Sequence, residues 1–224
     1  MRKPGSNGSE TLRNLRSAAI RLLSERGYQG MNLRTLASDL GMQAGSLYNY
    51  IESKQELLSW LMKDATEKLL KGFESEIEPI EDPEEQLRKF VAFHLEYHIA
   101  NRKESAVLAT QMHSLTPRNY RAIAQLQRLY TDKVHDIVRR GCAGGKFRCE
   151  DTQISAFALV QMVTGVTRWY QPRGRVGVAG VIEIYTSLVL GMLGVNAAAG
   201  EARVASVNGK NGIKAISGPA VTAA

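Results

Sequence analysis

Residues 32–58 read NLRTLASDLGMQAGSLYNYIESKQELL, and this stretch decides the fold. Asn32 can cap a short helix whose apolar residues recur at three- and four-residue steps, and Gly41 permits the positive φ of a sharp turn. Ala37, Gly41 and Leu47 then supply a small residue at a helix crossing, a glycine in the turn and an apolar plug from a second helix. This ordered set predicts a helix-turn-helix.

Small and polar residues dominate the second helix of this motif. Gln and Asn side chains can pair with adenine edges, Ala and Gly allow close approach of the backbone, and Ser and Tyr hydroxyls can donate to phosphates. A Gly/Ser turn followed by ordinary surface aromatics is the alternative interpretation. We expect DNA contacts from this helix and its neighbours, namely Arg34, Thr35, Gln43, Ala44, Gly45, Ser46, Tyr48, Asn49, Tyr50 and Lys54.

Further helices should flank the motif on both sides. An apolar face recurs from about Glu10 until Gly27, which supplies the left-handed position that ends a helix. Ser53 and Glu56 form a capping box that starts a long helix, and Lys54 in its first turn is well placed for a phosphate. We expect this long helix to connect the head to a second domain.

Apolar periodicity continues through the rest of the chain without strand-like alternation. It predicts helices over about 84–101, a shorter segment to 112, and helices over 117–141, 151–169 and 178–193. We therefore predict an all-α protein. Its parts are a disordered basic arm (1–9), a three-helix helix-turn-helix head (10–58), a helical effector-binding and dimerisation domain that begins with the long connecting helix (59–194), and a disordered tail (195–224).

Composition and charge favour a polyanionic partner. The 224 residues carry a formal net charge of +7, and the positive excess lies on both sides of an acidic stretch at 57–100. Because no run of about 18 apolar residues and no signal-peptide pattern occurs, we expect a cytoplasmic protein without a membrane partner. Cys142 and Cys149 lack companions at metal-ligand spacing, so we expect two unremarkable thiols and no disulfide framework.

The stretch at 32–58 resembles the TetR family of bacterial transcriptional regulators. The most specific matches are the strings GSLY (45–48), SK (53–54) and ELL (56–58). Asn32 stands where the family usually has Thr or Ser, and Ile51 where it usually has Phe, and both residues keep the cap and the apolar contact. The resemblance implies a homodimer whose two recognition helices enter successive major grooves of a palindromic double-stranded DNA operator.

The last two predicted helices are apolar around much of their circumference, which is typical of helices buried on more than one side. We interpret them as half of a four-helix dimer interface, as the resemblance also implies, and burial within one subunit is the alternative. The predicted interface residues are Phe157, Gln161, Gly165, Ile182, Tyr185 and Val189.

Histidines are the one feature that suggests metal or enzyme chemistry. His94 and His98 lie four residues apart on one helix face, with His113 as a possible third ligand, but core or pocket histidines are the stronger interpretation. The sequence has no evident nucleophile with a neighbouring base, phosphate loop or catalytic carboxylate pair. We expect no catalytic residue, metal or cofactor, and an enzyme or metal-binding helical protein remains an alternative.

A helical domain of this kind can enclose a small-molecule effector. Arginines accumulate between 101 and 194, and TRWYQPRGR at 167–175 resembles the corresponding part of TetR-family members associated with lipid, steroid or fatty-acid catabolism. An acyl-CoA is therefore one hypothesis for the effector, and a hydrophobic drug, as in efflux or detoxification, is another. The candidate ligand-binding residues are Tyr97, His98, Met112, Arg121, Tyr130, Phe157, Met162 and Trp169.

These features lead to the hypothesis of a ligand-responsive repressor. The effector would favour a separation of the two heads that does not fit DNA, which requires different affinities for the two conformations. A constitutive architectural DNA-binding protein is the competing interpretation.

Overall fold

The computed structural model describes residues 8–195, which form ten α-helices, a short 3-10 turn and no strand. The predicted all-α fold is confirmed. The helices are α1 (Gly8–Gly30), α2 (Leu33–Asp39), α3 (Ala44–Tyr48), α4 (Lys54–Glu76), α5 (Pro83–Ala100), α6 (Arg102–Gln111), α7 (Pro117–Ala143), α8 (Thr152–Thr164), α9 (Val166–Trp169) and α10 (Val178–Met192). Apart from residues 8, 9 and 195, the predicted basic arm and C-terminal tail lie outside the described residues.

The first helix departs from the prediction at both ends. It begins at Gly8, two residues before the expected start, so residues 8 and 9 are helical. Gly27 has φ 64° and ψ 177°, a conformation that glycine adopts readily, and it breaks the helical backbone at the expected place. One further turn nevertheless continues to Gly30.

The head packs α1, α2 and α3 around an apolar core. Leu15, Leu22, Leu36, Ala37 and Leu47 are at most 1% exposed. The same core extends into α4 and reaches buried side chains of α6 and α7. The head therefore rests directly on the following helices, and its apolar core does not end where α4 begins.

The remaining helices form the body around a second core. Phe73 and Ile77 at the far end of α4 are buried with Phe90 of α5, Ile137 of α7 and Leu159 of α8. The long α4 thus contributes to both cores. None of the helices between residues 8 and 195 combines the length and apolarity needed to cross a membrane.

A break at Gly165 divides the helix that was predicted over 151–169. The backbone N–H of Gly165 still bonds to the Gln161 carbonyl at 3.0 Å, so the interruption is slight. Glycine has a low helix propensity, and the adjoining Thr164 and Thr167 side chains bond to nearby carbonyls. The prediction of one continuous helix is wrong for this reason.

Candidate nucleic-acid interface and buried cavity

Local hydrogen bonds give the helix-turn-helix its shape. The Asn32 side chain accepts the backbone N–H of Thr35 at 2.7 Å and caps α2. Gly41 has φ 64°, and Met42 N then donates to Ala37 O at 2.9 Å, which closes the turn. Leu47 enters the head core and leaves the polar side of α3 facing outward.

The predicted recognition residues lie mainly on the outer surface of the head. Tyr48 and Tyr50 are 50% and 37% exposed. Open space surrounds the position where a Cβ would stand on Gly45, so a partner can approach this backbone closely. Seven predicted contact residues are exposed (Arg34, Gln43, Gly45, Ser46, Tyr48, Asn49 and Tyr50) and three are half-buried (Thr35, Ala44 and Lys54).

Ser53 caps α4 as predicted, but the reciprocal bond of a capping box, from the N–H of Ser53 to the Glu56 side chain, is replaced by one from the preceding residue. Ser53 Oγ accepts the N–H of Glu56 at 3.1 Å, and the Glu56 carboxylate accepts the N–H of Glu52. Lys54 Nζ turns toward the head, where it donates to the carbonyls of Gln29 and Met31 at 3.3 and 3.0 Å. These two bonds leave Lys54 one N–H for another partner, so its contact with a phosphate remains a prediction.

A cavity of about 470 Å³ lies between α4, α5, α6, α7 and α8. Met62, Leu69, Leu108, Met112 and Val160 give it an apolar lining. Its volume falls in the range of sites that enclose a drug-sized molecule. The body therefore contains a ligand-sized space beside the connecting helix.

Polar side chains form one wall of this cavity. His94 Nδ1 lies 2.9 Å from Tyr130 Oη, and His94 Nε2 lies 2.9 Å from Thr164 Oγ1. His98 Nδ1 lies 3.0 Å from Ser105 Oγ. Among the described residues, every buried side-chain nitrogen and oxygen has a hydrogen-bond partner.

Burial controls the ionisation of this wall. Burial, with the nearby His98, holds the pKa of His94 well below its usual value. Burial also lowers the pKa of His98 to about 4 and raises that of Tyr97 to about 12. Both imidazoles are therefore neutral near pH 7.

Half of the predicted ligand-binding residues reach the cavity. Tyr97, His98, Met112 and Tyr130 line it. The other four do not: Arg121 is exposed, Phe157 and Trp169 are 43% and 52% exposed, and Met162 packs against the body core. The sequence reasoning missed His94 and Thr164, although the spacing of His94 from His98 already placed both histidines on one helix face.

The arginines behind the acyl-CoA hypothesis are scattered. Arg168 lines the cavity and is exposed, so it lies at the rim. Arg139 and Arg140 bind Asp136 and lower the pKa of that carboxyl, mainly through the hydrogen bond from Arg139. Arg102 is half-buried and donates to the carbonyl of Tyr170 at 2.9 Å. The remaining ones are exposed: Arg118, Arg121, Arg128, Arg148, Arg173 and Arg175.

Large apolar side chains are exposed along one side of α8 and along one side of α10. Together they are called the α8–α10 face here. Its members are Ile154, Phe157, Ile184, Leu188 and Met192, which are 39–67% exposed. On α10 three of them, Ile184, Leu188 and Met192, recur every four residues and so form one apolar stripe along the helix. An exposed apolar stripe of this kind suits a protein–protein interface.

The predicted interface residues divide between this surface and the interior. Phe157 and Gln161 are exposed, and Gly165, Ile182 and Tyr185 are half-buried. Val189 was wrongly assigned, because it is fully buried in the core of its own subunit.

Arg16 joins the head to the body. From α1 it forms ion pairs with Asp64 of α4 and Glu104 of α6, and its guanidinium lies 5.8 Å from the centre of the Trp60 ring. Burial alone would lower the pKa of Arg16, but the hydrogen bond and charge of Glu104 and the charge of Asp64 raise it. This cation thus holds three helices together.

A second contact between head and body centres on Gln55. Its side-chain amide donates to Tyr28 Oη at 2.6 Å and to Ser114 O at 2.7 Å, and its oxygen accepts the N–H of Thr116 at 2.8 Å. Gln111 of α6 accepts the N–H of Tyr28 at 3.2 Å. Because Ser105, Leu108 and Met112 line the cavity, one segment borders both the cavity and the head.

The two cysteines are closer than their spacing suggested. Gly145 has φ 72° in the turn after α7, and this turn brings Cys142 Sγ to 3.1 Å from Cys149 Sγ. Both are free thiols.

The histidines do not assemble a metal site within the described part of the chain. Between residues 8 and 195, no group of three or more His, Cys, Asp or Glu side chains could hold a metal ion. His94 and His98 both line the cavity, whereas His113 is exposed and does not line it.

Comparisons with known proteins point to one family. The model for "Bacterial regulatory proteins, tetR family" matches residues 15–60, and the model for "Tetracyclin repressor-like, C-terminal domain" matches residues 81–193. The HTH-type transcriptional repressor KstR2 of Rhodococcus jostii (strain RHA1) is 24% identical over 188 residues, which cover 83% of this chain and 91% of that protein.

Solved structures agree with these matches. PfmR, a TetR family transcriptional regulator from Thermus thermophilus, superposes with a TM-score of 0.72 at 30% identity, covering 81% of this chain and 98% of PfmR. AibR, solved in complex with isovaleryl coenzyme A and operator DNA, gives a TM-score of 0.70 at 25% identity, covering 82% of this chain and 97% of AibR.

Proposed function

The chain belongs to the tetR family of bacterial regulatory proteins, and on that premise we propose that it acts as a homodimeric repressor released from a palindromic operator by a small-molecule effector. Membership makes it a DNA-binding transcriptional regulator rather than an enzyme. We propose that residues 10–58 bind DNA, that 59–194 bind the effector and the second subunit, and that the protein acts in the cytoplasm.

The observation that carries this proposal is the position of α6 and of the 3-10 turn that follows it at Met112–Ser114. Leu108 and Met112 face the cavity, while Glu104 and Gln111 bind Arg16 and Tyr28 of the head. A ligand that displaces α6 therefore acts on the contacts that fix the head. The size of this shift away from the DNA-binding conformation is set by how much more tightly the ligand binds the displaced conformation.

The DNA contacts proposed for the head follow from its exposed chemistry. Gln43 and Asn49 supply amides that can read adenine edges, and Tyr48 and Tyr50 supply hydroxyls for phosphates. Two such heads on one side of B-DNA must stand about 34–36 Å apart. Small changes in head separation are therefore sufficient to lower operator affinity.

The α8–α10 face supports the proposed homodimer. Two copies of this face would bury the exposed apolar side chains against each other as a four-helix contact, with the same surface used by both subunits. Phe157 on α8 and Leu188 on α10, which are 43% and 53% exposed, are the contacts we propose for its centre. Gln161, Gly165, Ile182 and Tyr185 remain proposed members of this interface.

An acyl-CoA is the effector class we favour. The similar protein AibR binds isovaleryl coenzyme A, and in this chain an apolar cavity has Arg168 at its rim. A space of this size encloses an acyl group and leaves the nucleotide outside, where arginine can bind its phosphates. A hydrophobic drug that fills the same cavity without using Arg168 is the second candidate, favoured by the apolar lining.

A DNA-binding experiment tests the operator contacts. Tyr48→Ala should lower affinity for an operator selected from random duplexes by about tenfold at fixed salt, since it removes a contact from the recognition surface. Tyr120→Ala is the matched control, because Tyr120 is 47% exposed on α7 and lies outside that surface. Equal affinities for the two variants, measured by fluorescence anisotropy, would contradict the proposed interface.

A ligand screen tests the effector. Acyl-CoAs, free coenzyme A, fatty acids and planar drugs are compared by thermal shift and by release of the bound operator. We expect acyl-CoAs to raise Tm and release DNA. The Arg168→Met variant should lose more affinity for acyl-CoAs than for the free acids. Release by drugs alone would select the second candidate, and release by none of these compounds would refute the ligand-responsive mechanism.

A further inference from the structure

Hydroxyl groups on the cavity wall share one orientation. Five of them donate their hydrogen to a backbone carbonyl at 2.7–3.1 Å: Thr66 to Met62, Tyr97 to Ala65, Thr131 to Gln127, Thr164 to Val160 and Thr167 to Thr164. A hydroxyl has one hydrogen and two lone pairs. Each of these oxygens can therefore offer only lone pairs to a ligand.

The sixth hydroxyl, on Tyr130, is fixed through His94. Because Thr164 has already used its hydrogen, its oxygen accepts from His94 Nε2, which must carry the proton. Burial keeps His94 neutral, so its Nδ1 is unprotonated and accepts the hydrogen of Tyr130. Tyr130, His94, Thr164 and the Val160 carbonyl thus form a chain of hydrogen bonds with one direction.

Buried donors are scarce in the same wall. Neutral His98 and Ser105 carry one polar hydrogen each. One of the two lies in the 3.0 Å hydrogen bond between them, so only the other can bind a ligand. The other donors are the side chains of Gln127, Gln161 and Arg168, which are exposed and stand at the rim. The inner cavity therefore has many acceptors and one free donor.

We propose that the cavity selects effectors whose buried part carries hydroxyl or N–H groups, and that it discriminates against analogues with a carbonyl in the same place. This inference rests on the proposed effector role of the cavity. A ligand hydroxyl meeting Tyr130 or Thr164 completes their hydrogen bonding. A ligand carbonyl there meets lone pairs, and it can be accommodated only if the whole chain reverses and Thr164 gives up its bond to Val160.

Two probes that share a skeleton test this selectivity. Octan-2-ol and octan-2-one share a carbon skeleton, but only the alcohol has a hydrogen-bond donor, and the affinities of both for the full chain are measured by calorimetry. We expect the alcohol to bind at least about fivefold more tightly, the ratio that corresponds to one net hydrogen bond. Equal affinities or tighter binding of the ketone would overturn the inference while leaving the cavity as the effector site, whereas binding of neither probe would overturn both.

Two threonine variants test the role of the hydrogen-bond chain. Thr164→Val removes the acceptor of His94 Nε2, so the proton can move to Nδ1 and Tyr130 can turn its hydrogen toward the ligand. The ratio of the affinity for octan-2-ol to that for octan-2-one should then fall toward one. Thr110→Val is the matched control, since Thr110 makes the same kind of bond to Val107 O at 2.8 Å but is exposed outside the cavity. An unchanged ratio in Thr164→Val would show that the chain does not set the preference.

Discussion

Replacing Arg16 should loosen the head without disturbing its own core. Arg16 is 13% exposed, and its partners Asp64 and Glu104 are 32% and 17% exposed. In Arg16→Met, Asp64 still has a cation, because Lys68 lies 2.8 Å from it. Glu104 loses its cation and keeps a half-buried negative charge, so most of the lost stability should come from Glu104. Charge-assisted hydrogen bonds in such surroundings contribute about 2 kcal/mol, which corresponds to a Tm lower by about 4–8 °C.

Urea unfolding and hydrogen exchange measure this effect. The free energy of unfolding should fall by about 2 kcal/mol, and α1 amides facing α6 should exchange faster. Arg21→Met is the matched control: Arg21 also lies on α1 and pairs with Asp39 at 2.9 Å, but it is 51% exposed, so its loss should cost less than about 0.5 kcal/mol.

Equal destabilisation by Arg16→Met and Arg21→Met would refute the reasoning. A double-mutant cycle gives a second check. In a Glu104→Gln background the cost of Arg16→Met should shrink, because the charge that Arg16 compensates has gone. An undiminished cost would mean that Arg16 acts through packing against Trp60 and not through the ion pair.

His98, Leu188 and the thiol pair Cys142–Cys149 each allow a further test of the body. Burial lowers the pKa of His98 to about 4, below its unfolded value of 6.5, so the unfolded chain binds a proton that the folded chain does not. The titration of His98 should therefore lower the free energy of unfolding as pH drops from 6.5 to 4, by about 2 kcal/mol at pH 5, and His98→Gln should remove this part of the fall measured by urea unfolding. His94, whose pKa burial also lowers, should contribute a further fall in the same direction that His98→Gln leaves in place. Leu188→Glu should turn the dimer into monomers in sedimentation, whereas Leu129→Glu, on α7 and similarly exposed, should not; a persistent dimer would contradict the assignment of the α8–α10 face. Diamide should close Cys142–Cys149 within one chain, since the sulfurs need to move only about 1 Å to reach bonding distance. Covalent dimers on a non-reducing gel would contradict the intramolecular pairing.

The head could be predicted because its determinants are local. The Asn32 cap, the Gly41 turn and the Ser53 cap each act within four residues of their position in the chain, and the structure contains all three. Lys54 shows the limit of this reasoning. Its first-turn position suggested a phosphate contact, but its bonds to Gln29 and Met31 depend on how α1 returns to α4, which local sequence does not encode.

The cavity could be predicted only in part, because apolar periodicity does not tell an inner wall from an outer face. Phe157 and Met162 both belong to an apolar helix, yet one is exposed and the other packs against the core. Val189 is buried while its neighbour Leu188 is exposed, a difference of one step around the helix. The thiol contact between Cys142 and Cys149 likewise depends on a turn whose path the spacing alone does not define.

The contacts of Gln55 have a consequence for engineered biosensors. Recombining the DNA-reading part of one regulator with the sensing part of another assumes that a cut near residue 58 separates two modules. Gln55 lies on the DNA-reading side of that cut, but it bonds to Ser114 and Thr116 on the sensing side, and Tyr28 bonds to Gln111 there. A functional chimera must therefore take both sides of these contacts from the same regulator. Otherwise ligand binding in the sensing part will not change DNA binding by the head.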